Sequence, residues 1–161
     1  YDPRSNVIRL SDSVRTSTSV AAVGVAAHEA GHAVQHAVGY LPIKLRNALV
    51  PVANFGSTAG PYLIIIGLLL SGAFSDFLVN FGIWFFSAAV LFQIVTLPVE
   101  FNASNRAIKT LSNGMYLESD EVPAVKKVLG AAAMTYVAAA AVSVANLLRF
   151  IMLAGSRRRR D

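Results

Sequence analysis

Three histidines and one glutamate crowd into nine residues: His28-Glu29-Ala30-Gly31-His32-Ala33-Val34-Gln35-His36. The first five form HExxH, which arises by chance in about one chain in a thousand of this composition. On a helix, positions i and i+4 share a face, so His28 and His32 can direct one imidazole each at a common metal ion. Glu29 lies about 100° further round the helix. It can therefore reach a water beside the metal without being a ligand, as the general base of a zinc hydrolase must. The plainer alternative is a set of histidines that satisfy hydrogen bonds on a buried helix.

A catalytic zinc wants a third protein ligand. His36 continues the same face but stands about 12 Å along the axis from His28, too far to share one ion. The HExxHxxGxxH solution, in which glycine bends the chain back, is closed because Gln35 occupies the glycine position and no histidine follows His36. His36 is left to a role behind the ligands, towards substrate, or at the surface. Glu100 is the better third ligand. It lies in Leu97-Pro98-Val99-Glu100-Phe101-Asn102-Ala103-Ser104, directly after an apolar run, where a carboxylate is costly unless paired. Two spans separate it from the HExxH helix, so both return to one side of the membrane. A helix-start carboxylate serving the dipole is the alternative. Ser104, one turn on, could hydrogen-bond a zinc histidine. Asn105 and Arg106 on the same helix could bind a substrate carbonyl or carboxylate, or simply face solvent. His36, Arg106 and Tyr116 are equal candidates for steadying an oxyanion.

The elements that must position these residues are dominated by apolar helices. Of the 161 residues, 55% are hydrophobic and only 14% charged, with a mean hydropathy of +0.54. About 25% charged residues is usual for a soluble domain, so this composition points to lipid and excludes disorder. Residues 47–75, 77–99 and 128–148 contain no Asp, Glu, Lys or Arg. Each run meets the roughly 20 residues that cross about 30 Å of hydrocarbon. The first contains Pro51, Gly56, Gly60 and Pro61, which predicts a kinked span. Ser75-Asp76 is expected to break it from the second, giving a tight helical hairpin. The alanine-rich third run is suited to close helix packing.

The polar remainder predicts a short strand at residues 7–10, following turn chemistry at 1–6 and offering an edge to an extended peptide. An HExxH helix is expected from about 19 to 38, capped by Ser17, Thr18 or Ser19 and stopped by Gly39. Another helix should begin at Leu97-Pro98 and stop at Asn113-Gly114. Ser119-Asp120 should cap the last, with Glu121 in its first turn. The fold class is thus mainly α: a multi-span helical membrane protein with an HExxH helix and a short N-terminal strand or hairpin. One domain is expected over 1–161, divided as 1–46 (strand and HExxH helix), 47–97 (membrane hairpin), 98–114 (third-ligand helix), 120–154 (C-terminal membrane helix) and 155–161 (basic tail). A start at Tyr1 predicts a fragment or processed product that has lost a targeting signal or first span.

The net charge of +5 owes four charges to Arg157, Arg158, Arg159 and Arg160, a tail suited to anionic lipid, and no basic face elsewhere suggests nucleic acid. With no cysteine, any metal must be held by His, Asp or Glu. Positive-inside counting is nearly balanced and leans towards a cytoplasmic site.

Several of these segments, in order, are familiar together. YDPRSNVIRLS, VAAHEAGHAVQHA, LRNALVPVANFGS, LPVEFNASNRA and KKVLGAAAMTYVAAA resemble the YugP-like neutral zinc metallopeptidases of bacterial membranes. The resemblance covers nearly the whole chain. It implies a zinc-dependent membrane peptidase of the gluzincin type, with one Zn2+ on His28, His32 and Glu100 and catalysis by Glu29 on a peptide or protein substrate. It also implies a further N-terminal membrane helix. Better-known gluzincins commonly carry aspartate where Ser104 stands, so this chain departs from them there. A site-2-type intramembrane protease would need an aspartate in an LDG-like membrane setting, and none of Asp2, Asp12, Asp76, Asp120 or Asp161 has one. A metal transporter would need more polar ligands inside the spans, which offer only scattered residues such as Asn80 and Gln93. A zinc-binding protein without catalysis is the third alternative.

Overall fold

A computed structural model describes residues 1–114 and 116–158. Its elements are α1 (Asp12–Arg15), α2 (Val20–Ala37), α3 (Leu41–Leu69), α4 (Ala73–Asn113) and α5 (Val122–Arg158). Among the described residues α3, α4 and α5 are long and apolar enough to cross a membrane. Arg159 and Arg160 of the expected basic tail lie outside the described residues. The described residues group into two compact units, one within 1–44 and 96–137, the other within 45–95 and 138–158.

The first unit holds the HExxH helix. Ser19 caps α2 by accepting a hydrogen bond from the Ala22 amide at 3.2 Å, and Gly39, at φ +65°, ends the segment. That conformation is cheap only for glycine, which is why a glycine marks the stop. The buried residues of α2 are Ala22, Gly24, Gly31 and Gln35, three of them small. A Cβ on Gly31 would lie 2.7 Å from the Ala103 carbonyl oxygen of α4, and one on Gly24 would lie 2.6 Å from Val125 Cγ2 of α5. The absent side chains thus let the three helices meet around Ala107, Leu111, Val125 and Leu129. Gly31→Val would push against backbone rather than a movable side chain. We expect it to cost about 1–3 kcal/mol, seen as a lower thermal midpoint of the metal-free protein in detergent. An unchanged midpoint would mean that the approach of α2 to α4 is not tight.

Three sequence expectations are corrected in this unit. Residues 7–10 form no strand: the N-terminus makes one isolated antiparallel bridge between Asp2 and Val7. Asn6 turns the chain at φ 52°, and Asp2 accepts hydrogen bonds from the Ser5 hydroxyl and the Arg4 amide, so the segment closes on itself as a turn. Those bonds, Ser5 foremost, hold the Asp2 carboxyl below its usual range. Leu97-Pro98 does not begin a helix, because Pro98 lies inside α4. Proline inside a helix costs about 3 kcal/mol, and here Val99, Ala103 and Ala107 pack at 0–1% exposure immediately after it and carry the helix through. α4 stops at Asn113, beside the expected Gly114. Glu121 precedes α5 instead of lying in its first turn. Its carboxylate accepts from the Glu118 amide and its carbonyl from the Val125 amide, so it closes the turn that leads into the helix.

The second unit contains α3 from residue 45 onward, through Pro51 and Pro61, and the apolar half of α4. Gly56 lies against the Phe85 backbone and Gly82 against Gly60 and Ile64, the close approach that small residues allow between membrane helices. The break between α3 and α4 falls at Gly72, φ +84°, not at Ser75-Asp76. Only glycine enters that turn without strain, whereas Ser75 is buried in the first turn of α4 and donates to the Gly67 carbonyl at 2.6 Å. Arg157 caps carbonyls at the end of α3, donating to Gly67 at 2.7 Å and also to Leu70.

Candidate metal centre

α2 and α4 bring His28, His32 and Glu100 together. One donor atom from each lies within 4.8 Å of the others. His28 Nε2 is 3.2 Å and His32 Nε2 3.6 Å from the same oxygen, Glu100 Oε2. The two imidazoles meet edge to face with centroids 4.7 Å apart. The Glu100 side chain is only 3% exposed, so its charge is removed from water and must be met by partners. A tetrahedral zinc with bonds of 2.0–2.2 Å separates its ligand atoms by about 3.4 Å. The two distances to Glu100 bracket that value, and the donors, two imidazole nitrogens and a carboxylate oxygen, are those of a catalytic zinc site. The residues present therefore fit the ion.

Around this cluster, Ser104 Oγ is 3.1 Å from His28 Nδ1. Glu29 is partly exposed, beside a cavity of about 190 Å3 that it shares with His28, Glu100, Ser104, Ala133 and Tyr136. The Tyr1 amino nitrogen contacts the Glu29 carboxylate. The structure does not bring the remaining candidates to the cavity. His36 is half-buried against the Tyr1 ring at 5.3 Å, Asn105 is exposed, and Tyr116 is exposed beside Gly114. Arg106 points its Nε at Asn102 Oδ1, 2.8 Å away.

Two residues of the site escaped the sequence reading. Tyr136 lines the cavity from α5, and nothing in an alanine-rich apolar run marks which residue does so. Gln35 is fully buried and lies 3.0 Å from His32 Nδ1. Its signal was present: residues 24, 28, 31 and 35 fall on one face of α2, so a glutamine there shares the face of His28.

Fold and site together define a helical membrane protein in which two histidines of an HExxH helix and Glu100 of α4 form a group that could hold a metal ion. The chain belongs to the family described as "Putative neutral zinc metallopeptidase", whose model matches residues 1–155. It is 49% identical over 153 residues to the "Putative membrane protease YugP" of Bacillus subtilis (strain 168), covering 95% of this chain and 67% of that protein. No solved structure matches it.

Proposed function

We propose that this protein is a zinc-dependent endopeptidase of the bacterial inner membrane, its site on the cytoplasmic side, acting on peptide or protein substrates. One Zn2+ would be held by His28, His32 and Glu100. The observation that carries the reading is the convergence of those donor atoms within 4.8 Å at a cavity that Glu29 also lines. When bound, zinc supplies Lewis acidity and makes water acidic enough to lose a proton near neutral pH.

The chain's own residues supply the rest. Glu29, one oxygen of which contacts the Tyr1 amino nitrogen, sits one residue from His28 yet on a different face of α2, so its carboxylate lines the cavity for proton transfer without joining the donor group. It accepts a proton from the attacking water and delivers it to the leaving amine nitrogen, which is how peptide-bond hydrolysis balances. Ser104 fixes the plane of the His28 ring from behind. Val25, Leu129 and Ala133 form the apolar wall of the cavity and limit the water around the reacting group. The positive tail would meet anionic lipid headgroups.

Metal removal tests the reading. Protein purified in detergent is expected to cleave a denatured polypeptide, to lose that activity with a strong chelator, and to regain it on adding about one equivalent of zinc. Zinc transport into liposomes without cleavage would overturn it, as would cleavage that survives complete metal removal.

A further inference from the structure

Gln35 is 0% exposed, and every polar atom of its side chain is engaged. Its Nε2 donates to the Val99 carbonyl at 2.8 Å and to Asn102 Oδ1 at 3.0 Å. A backbone carbonyl can only accept, so the amide nitrogen must face Val99 and Oε1 must face the other way. Asn102 is oriented by the same logic. Its Oδ1 also accepts from Arg106 Nε at 2.8 Å, and a guanidinium can only donate.

The orientation of Gln35 has a consequence for His32. Gln35 Oε1 lies 3.0 Å from His32 Nδ1 and can only accept, so the Nδ1 nitrogen must carry a proton. In the neutral ring the lone pair then sits on Nε2, the nitrogen that faces Glu100 Oε2 at 3.6 Å. Two lone pairs facing each other repel, unless a cation lies between them. His28 is held differently. Its Nδ1 faces the Ser104 hydroxyl at 3.1 Å, which can donate or accept and therefore leaves the tautomer open.

We infer that Gln35 is the positioning residue of the metal centre. Anchored by the Val99 carbonyl and by the Asn102–Arg106 pair, it holds His32 as the Nδ1–H tautomer before any metal arrives, while the Ser104 hydroxyl leaves His28 open to either tautomer. The inference rests on the metallopeptidase reading above. Its physical value is that one ligand meets the ion already in the required protonation and ring orientation.

Long-range 1H–15N spectra of histidine-labelled protein in detergent, taken near pH 8 where an ordinary imidazole is neutral, read the tautomers directly. His32 is expected as Nδ1–H in both metal-free and zinc-loaded protein. An Nε2–H His32 in the metal-free wild type would overturn the inference, whatever any variant does. Gln35→Met keeps the length but removes the acceptor. It should weaken zinc binding about 10- to 100-fold and leave metal-free His32 as a mixture of tautomers. Zinc affinity and His32 tautomer both unchanged in Gln35→Met would also overturn the inference. A wild type that binds no zinc would instead sink the metallopeptidase reading, and the metal-free spectrum would still decide the role of Gln35.

Discussion

Glu29→Gln is expected to lower kcat/KM for a denatured polypeptide by about 10^2- to 10^4-fold, the worth of a positioned general base, with bound zinc unchanged. The substitution keeps the shape of the side chain and removes its basicity. Glu29 is not among the residues whose donor atoms cluster, so the metal has no reason to leave. It lines the cavity with His28 and Glu100 and keeps 27% exposure, enough for water to reach it. The experiment pairs turnover in detergent with metal analysis of the same sample. Full activity in the variant would remove Glu29 from catalysis. A joint loss of activity and zinc would show that it supports the metal instead.

Glu100→Ala should have its largest effect on binding rather than turnover. The carboxylate oxygen faces both imidazoles, at 3.2 and 3.6 Å, from a position almost closed to solvent. Loss of a supporting hydrogen bond behind a ligand typically costs 10- to 100-fold in metal affinity. Loss of the ligand itself should exceed that, so zinc affinity is expected to fall by at least about 100-fold, and activity with it. The fold should survive, because α4 is held on its neighbouring face by Val99, Ala103 and Ala107, all at 0–1% exposure. A zinc Kd within a factor of two of wild type would exclude Glu100 as a ligand. The thermal midpoint of the metal-free variant separates loss of the site from loss of the fold.

Where the sequence was legible, the signal was local. Ser19 and Gly39 bound α2 because a side-chain cap and a positive φ are properties of single residues. The three apolar helices follow from charge-free runs long enough to cross the hydrocarbon core of a bilayer. Reading failed where a local preference met a tertiary force. Proline favours a helix start, yet Pro98 is carried through by the packing that follows it. Residues 7–10 suit a strand, yet a strand needs a partner and Asp2 closes the N-terminus into a turn. Ser75-Asp76 reads as a break, yet the turn required the backbone freedom of Gly72.

The sequence by itself determined that His28 and His32 share a helix face with Glu29 beside them, because the period of a helix converts a spacing of four into a direction. It also determined that this helix belongs to a chain too apolar for water alone. Only the tertiary structure decided the rest. Glu100 stands 72 residues from His28 and meets it because Gly31 lets the α4 backbone approach α2. Gln35 reaches Val99 across 64 residues, and the direction of its amide depends on a carbonyl that cannot turn. Spacing along one helix is set by covalent geometry, whereas contact between helices depends on which side chains are absent at the crossing and which hydrogen-bond partners are already committed.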